Sequence, residues 1–312
     1  MDNVRILSNH EYESLSDDKK REYLNTLRKH IKDQKNKSIS IGHEMIVKFY
    51  PYLRNYTLEI RGQENIPTDD SAIIMCNHSN SHDYFTAHET FATLGKAISV
   101  FAAKDGISPL VKSIFAISDA TLIDRNDKVS AEQGTIDFAK KIIEGKCGVI
   151  FGEATWNLHP IKAMQPLKIG GVRVGAITEK NIIPTIFEYV ENPYLVDKEK
   201  DLYSKCIIVF GNPYKINPTE SFIKQTLEIQ GIMENMRKEI WMELGINRNT
   251  LSDIDPELYV NHTYMKKYKA FGYLYNSEEE SKFFYHNNDG LIENEYFITE
   301  TGEFKPGYIA KK

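Results

Sequence analysis

The chain has 312 residues, 41% of them hydrophobic, which is enough for one large domain or for one domain with appendages. The formal net charge is -5, and the 39 Lys and Arg residues are spread among 44 acidic residues without a basic block, which argues against nucleic acid as a partner. The three cysteines lie far apart without a CxxC pair, which excludes a cysteine zinc site and favours buried thiols in a reducing compartment.

The beginning of the chain, Met1–Lys32, is polar and charged and lacks the apolar core of a signal peptide. No apolar run approaches the roughly 18 to 20 residues that a membrane-spanning helix needs. We therefore expect a cytoplasmic protein that would meet lipid only at a membrane surface, as a peripheral protein.

The N-terminal part reads as a helical arm over residues 1–57. Residues 8–34 have mostly helical spacing of apolar residues from Ser8 onwards and predict a docked surface helix, because the polar face is not markedly cationic. A second apolar stretch, Ile46–Leu53, leads into Tyr56–Arg61, where apolar and polar residues alternate as in an edge strand.

From residue 71 onwards, short apolar runs alternate with helical segments. The runs are Ala72–Cys76, Ile98–Ala102, Ala120–Ile123, Gly148–Phe151, Ile182–Phe187 and Cys206–Phe210. The helical segments are Tyr84–Leu94, Pro109–Phe115, Ala131–Glu144 and Ile169–Glu179. This alternation predicts an α/β fold, a mostly parallel central sheet flanked by helices, with catalytic groups on the loops at the strand ends.

A long closing helix is predicted over Thr219–Leu244, with Thr219 as its cap. Its apolar stripe would comprise Ile223, Leu227, Ile229, Met233, Met236, Ile240 and Trp241. After Gly245 the chain becomes rich in Tyr, Phe, Asn and Glu. We therefore expect a central domain over 58–245 and a Tyr-rich extension over 246–312.

The first buried run leads directly into a loop with His78 and Asp83, followed by a helix. The spacing across this loop lets Asp83 turn back to His78, which would make a general base with its orienting carboxylate. A solvated histidine and a helix-capping aspartate would give the same pattern. There is no GxSxG elbow, and no serine or cysteine lies in a recognised nucleophile motif. Backbone amides near Ser79–Ser81 are candidate oxyanion donors.

Further polar residues follow the next runs and would converge on the same edge of the sheet. They are Lys104, Asp124, Arg125, Glu153, Thr155 and Lys168. The cations among them suit phosphate recognition. Arg125 also fits an ordinary ion pair with Asp124 or Asp127, and Glu153 fits a helix-capping carboxylate.

Over about residues 58–215, these segments resemble, in their order and in their amino-acid sequence, the glycerolphosphate acyltransferase family, the PlsC-like 1-acylglycerol-3-phosphate acyltransferases. NHSNSHD at 77–83 is similar to the family's NHx4D block, and IFGEATWN at 150–157 stands where the family has a Pro-Glu-Gly-Thr-Arg-Ser run. The other similar segments are IRGQENIP at 60–67, FAAKDGISP at 101–109, TLIDR at 121–125, PLKIGG at 166–171, NIIPTIFEY at 181–189 and IIVFGNPY at 207–214.

The resemblance implies an O-acyltransferase of lipid metabolism, such as phospholipid biosynthesis. Its donor would be an acyl thioester of coenzyme A or of acyl carrier protein, its acceptor a hydroxyl, and no metal or bound cofactor is implied. His78 would be the general base and Asp83 its partner. The residues that would bind the acceptor or other substrate are Lys104, Arg125, Glu153, Thr155, Trp156 and Lys168.

Among the departures from the family's third block, Ala154 replaces Gly, and Trp156 replaces Arg. An indole does not replace a bidentate guanidinium. We therefore expect a sugar, an alcohol or another lipid as acceptor rather than a lysophospholipid or a glycerol phosphate. Lys162 or Lys168 would supply charge where a phosphate is present.

Two other readings stay open from the sequence. One is a metal-dependent hydrolase that uses His78, His82 and Asp83, with His88 and Glu153 completing the ligand shell. The other is a catalytically inactive acyl- or lipid-binding module, which the altered third block would permit.

Overall fold

The computed structural model describes residues 5–33, 41–79, 82–104, 109–124, 127–154, 157, 163–191 and 203–246. The predicted extension therefore lies outside the described residues from position 247 onwards. Among the residues that the structure describes, no helix combines the length and the apolar character that crossing a bilayer requires.

The N-terminal segment forms α1 (Asn9–Glu13), α2 (Asp17–Lys32) and α3 (Ile41–Leu53). The single helix expected over residues 8–34 is thus divided. Ser8 caps α1 in a reciprocal capping box with Glu11, and Ser14 is the C-cap of α1. Ser16 then begins α2, whose first turn carries two aspartates that favour a helix start.

Seven strands form one sheet within the described part of the chain. They are β1 (Thr57–Arg61), β2 (Ile73–Cys76), β3 (Ile98–Ala103), β4 (Thr121–Ile123), β5 (Cys147–Phe151), β6 (Ile182–Glu191) and β7 (Tyr203–Phe210). Their order is β1-β7-β6-β2-β5-β3-β4. The five strands from β6 to β4 run parallel, while β7 is antiparallel to β6 and β1 is parallel to β7.

Helices cover both faces of this sheet, which confirms the predicted α/β fold class. The helices that follow α3 are α4 (Asp83–Thr93), α5 (Pro109–Ile117), α6 (Lys128–Ile143), α7 (Gly170–Thr178) and α8 (Phe222–Glu243). One core contains residues of α2, α6, α7 and α8, and the other contains residues of α3, α4 and α5. In β2, Ile73 and Met75 belong to the first core, and Ile74 and Cys76 to the second. Burial on both faces explains why the strand is a continuous apolar run.

The start of α8 differs from the sequence prediction. Ser221, and not Thr219, is the N-cap, and its side chain accepts the backbone N–H of Lys224. Ile223 and Leu227, expected in the buried stripe, are 51% and 60% exposed. The buried face instead begins at Phe222, because this ring stacks on the buried ring of Tyr12.

All three cysteines carry free thiols and are buried, as expected. Burial raises the pKa of each of them, so none is an activated thiolate.

Candidate active site

The carboxyl ends of β2, β3, β4 and β5 point to one edge of the sheet, because these four strands are parallel. At the end of β2, the buried Asn77 ties the chain to the neighbouring strand β6. Its Nδ2 donates to the carbonyl of Phe187 at 3.0 Å, and its Oδ1 accepts the N–H of Phe187 at 2.7 Å. This bridge fixes the point at which the chain leaves the sheet, one residue before His78.

The structure brings His78 and Asp83 together. Nδ1 of His78 lies 2.7 Å from Oδ2 of Asp83, which also accepts the backbone N–H of Ser79 at 2.7 Å. The Asp83 side chain is fully buried, whereas that of His78 is 21% exposed. The imidazole stacks on the ring of Phe151 with centroids 4.6 Å apart.

This geometry fixes the histidine tautomer. An ionised carboxylate only accepts hydrogen bonds, so Nδ1 carries the proton and Nε2 is left as the basic nitrogen. Asp83 is also the first residue of α4, where the positive end of the helix dipole favours a negative charge. The pair therefore has the arrangement of a general base and its orienting carboxylate.

Ser79 is committed to this pair, because its backbone N–H donates to Asp83. That amide does not serve as the oxyanion donor that the sequence made a candidate. The other two positions of that stretch, 80 and 81, lie outside the described residues.

Glu153 lies two residues beyond β5, and its carboxyl group is fully buried behind the His78 main chain. Oε2 accepts the N–H of His78 at 3.1 Å, and Oε1 accepts the N–H of Gln165 at 3.0 Å. The carbonyl of His78 in turn accepts the N–H of Asn157 at 2.6 Å. Both polar groups of the His78 main chain are therefore bound by the segment that follows β5.

Burial raises the pKa of Glu153 to about 8. The positive charge of Arg237 and the two backbone N–H donors act in the opposite direction, and the negative charge of Asp83 adds to the rise. The carboxyl group therefore changes its charge near neutral pH.

A buried ion pair between β6 and α8 lies close to this carboxyl group. Nε of Arg237 donates to Glu188 at 2.6 Å, and Nη1 donates to the carbonyl of Ala163 at 2.8 Å. The indole N–H of Trp241 donates to the other oxygen of Glu188 at 3.0 Å. This pair was not predicted from the sequence. Glu188 stands inside an otherwise apolar strand, which is an unusual position for a charged residue, whereas Arg237 is followed by a lysine and a glutamate and looks like an ordinary surface residue.

Two of the expected substrate-binding cations, Lys104 and Lys168, belong to the residues that the structure describes. Lys104 follows β3, two strand spacings or roughly 10 Å from β2 across the sheet. Its Nζ lies 3.8 Å from Oδ2 of Asp124 at the end of the adjoining strand. Lys168 is exposed, and its backbone N–H donates to the carbonyl of Gly152 at 2.9 Å. The remaining predicted residues, Arg125, Thr155, Trp156 and Lys162, lie outside the described residues.

The histidines of the metal-site reading have partners other than His78. Nδ1 of His82 lies 2.8 Å from the hydroxyl of Tyr50, and Nδ1 of His88 lies 2.8 Å from Nδ1 of His43. In the part of the chain that the structure describes, no group of three or more His, Cys, Asp or Glu side chains is arranged to hold a metal ion.

Comparison with known proteins agrees with the motifs. Residues 57–187 match the family model described as Acyltransferase. Among solved structures, the 1-acyl-sn-glycerophosphate (LPA) acyltransferase PlsC from Thermotoga maritima is 16% identical, with a TM-score of 0.46 over 74% of this chain and 86% of that chain. No curated protein sequence matches the chain. The matched segment contains His78, Asp83 and Glu153. The resemblance found in the motifs is thus confirmed by the match of residues 57–187 to the acyltransferase family model.

Proposed function

We propose that the protein moves a fatty acyl group from an acyl thioester to an acceptor hydroxyl, with His78 as the general base. The observation that carries this proposal is the 2.7 Å contact between Nδ1 of His78 and the buried Asp83 carboxylate. It leaves Nε2 as the proton acceptor on a side chain that is partly exposed at the edge of the sheet.

In the proposed reaction, the acceptor hydroxyl gives its proton to Nε2 of His78, and its oxygen bonds to the thioester carbonyl carbon. The tetrahedral intermediate then collapses, and the carbon–sulfur bond breaks. The imidazolium returns the proton to the departing thiolate. Asp83 stabilises the imidazolium while it exists and keeps the ring in the productive tautomer. The reaction uses no metal or bound cofactor.

The donor is a thioester of coenzyme A or of acyl carrier protein. For the acceptor we favour a sugar, an alcohol or a lipid other than a lysophospholipid or a glycerol phosphate, because Trp156 stands where the family has an arginine. Residues Lys104, Arg125, Thr155, Trp156 and Lys168 would contact the acceptor or the donor head group. The reaction would take place in the cytoplasm or at a membrane surface.

The proposal is tested by release of free thiol from palmitoyl-coenzyme A and from a palmitoylated acyl carrier protein. Lysophosphatidate, glycerol phosphate, sugars and alcohols are supplied in turn as acceptors. We expect release that depends on one acceptor class and is abolished in His78→Ala. His10→Ala, a change at an exposed histidine of α1, is the matched control and should behave as wild type.

The partner carboxylate gives a second test. Asp83→Asn should lower the rate at least about a hundredfold, because the amide neither fixes the tautomer nor stabilises the imidazolium. Asp69→Asn, at an exposed position, is its control. Wild-type rates in both site variants would refute the proposal. Thioester binding without release would favour a binding module, and loss of release on adding a chelator would favour metal chemistry.

A further inference from the structure

Arg237 lies on α8, outside the acyltransferase-family segment 57–187, yet it reaches the segment behind His78. Its side chain is 7% exposed. Nη1 donates to the carbonyl of Ala163 at 2.8 Å, and two residues later Gln165 donates its N–H to Glu153. Two hydrogen bonds and the three-residue stretch 163–165 thus connect the guanidinium with the carboxylate that binds the His78 main chain.

Charge provides a second connection. Glu153 is buried near a second carboxylate, that of Asp83, whose negative charge raises the pKa of Glu153. Among the described residues, the charged and titratable groups around Glu153 are His78, Asp83 at the start of α4, and Arg237 on α8 with its partner Glu188 on β6. The positive charge of the Arg237 guanidinium favours the ionised form of Glu153.

The ionised form suits the contacts that Glu153 makes. Each of its oxygens accepts one backbone N–H, from His78 and from Gln165. A proton on either oxygen would add a second donor to a contact that already contains a donor, which weakens it. The Gln165 side chain also supports the His78 main chain, because its Nε2 donates to Oδ1 of Asn157 at 3.1 Å and the N–H of Asn157 donates to the carbonyl of His78.

We infer that Arg237 is a positioning residue for the acyl transfer proposed above. It fixes the segment 163–165 through the carbonyl of Ala163 and supplies the positive charge that Glu153 needs to accept both backbone N–H groups. The inference rests on the proposed role of His78. It assigns α8, which lies beyond the matched family segment, a part in holding the catalytic histidine in place.

The test removes both charges of the ion pair Arg237–Glu188, so that neither charge is left buried without its partner. In Arg237→Met/Glu188→Gln, the glutamine oxygen can still accept the indole N–H of Trp241. The matched control is Arg54→Met/Glu89→Gln, which removes a second largely buried Arg–Glu pair, with N–O distances of 2.5 and 2.7 Å, between the end of α3 and α4. A third variant, Arg237→Lys, keeps the charge but loses the planar fork.

The readout is the pH profile of kcat and KM for thiol release with the best acceptor. In Arg237→Met/Glu188→Gln, the neutral-pair variant, we expect the acid limb of the kcat profile to move to higher pH by about half a pH unit or more, because Glu153 then ionises at higher pH. We expect kcat near neutral pH to fall about tenfold with little change in KM, as for a residue that acts on positioning. In the control, both the limb and kcat should match wild type.

Arg237→Lys should keep the acid limb of wild type but lower kcat, because the hydrogen bond to Ala163 is lost. If Arg237→Met/Glu188→Gln folds and the acid limb of its kcat profile does not move, the inference is overturned and the ion pair has only a structural role. Should that variant not fold, wild-type kcat in Arg237→Lys would overturn it instead. Thiol release that is equal in wild type and His78→Ala would refute the proposed function, which is a separate outcome.

Discussion

At the scale of single residues, Ala154 has an unusual backbone conformation. Its φ is 58°, in the left-handed region that disfavours residues with a Cβ atom. It stands directly after Glu153, where the family has glycine. Alanine therefore adopts a backbone conformation that glycine adopts without strain, and the two hydrogen bonds of Glu153 hold the preceding residue in place.

Ala154→Gly should accordingly increase the free energy of unfolding by up to about 1 kcal/mol, since the left-handed penalty is relieved while the unfolded chain gains some freedom. Urea denaturation measures the change. Ala131→Gly, in the regular helix α6, is the opposite control and should cost about 1 kcal/mol. A loss of stability in Ala154→Gly would show that the methyl group contributes more than the backbone strain.

The sequence predicted the pair His78 and Asp83 because the two residues lie on one short loop, and their spacing limits how they can meet. It did not predict that Glu153 binds the main chain of His78. That contact joins residues 75 positions apart, and its existence depends on β2 and β5 being neighbours in the sheet. A carboxylate at a strand end is equally compatible with ligand binding until its burial is known.

At the scale of elements, the strands and helices were predicted closely, because buried parallel strands have continuous apolar runs that end at polar or glycine residues. The antiparallel direction of β7 and the break between α1 and α2 were not predicted. The direction of a strand depends on the path of its connection, and the break depends on which of several serines caps a helix.

The turn after β1 depends on Gly62. Its φ is 70°, and a Cβ atom there would lie 2.1 Å from the backbone carbonyl oxygen of Phe210 at the end of β7. Backbone atoms of a paired strand cannot move aside without loss of the pairing between β1 and β7.

Gly62→Ala should therefore reduce the free energy of unfolding far more than Gly95→Ala. Gly95 has nearly the same φ, 66°, but no atom lies within 4 Å of the position of its Cβ. The second change should cost about 1 to 2 kcal/mol, the left-handed penalty alone. Thermal or urea denaturation of the two variants measures the difference, and equal losses would contradict the role of the close contact with β7.

At the scale of the whole molecule, two buried groups set opposite pH dependences of stability. Burial lowers the pKa of His88 from 6.5 to about 3, so the unfolded chain binds more protons in that range and stability falls as the pH falls. Burial raises the pKa of Glu153 from 4.5 to about 8, so the folded chain binds more protons there and stability falls as the pH rises. Between 4.5 and 6.5 the two effects oppose each other.

We expect the free energy of unfolding to vary least between these two values and to decline on the alkaline side up to about pH 8. Glu153→Gln should remove the loss of stability as the pH rises and leave the loss of stability as the pH falls. His88→Phe should weaken the latter. Urea denaturation across the pH range measures both. Persistence of the full alkaline decline in Glu153→Gln would show that another group causes it.

Stability and activity should then respond to pH in opposite directions. Raising the pH through about 8 ionises Glu153, which gives both backbone N–H groups of the catalytic segment an acceptor and should increase kcat for thiol release. In the unfolded chain Glu153 is ionised from about pH 4.5 upward, so the free energy of unfolding declines up to about pH 8 and levels off once the folded carboxyl group has ionised too. When kcat and the free energy of unfolding are measured on one set of samples between about pH 6 and pH 9, kcat should therefore rise while the free energy of unfolding falls. Parallel changes in the two quantities would contradict this role of Glu153, because the buried charge would then cost nothing in stability or bring nothing to catalysis.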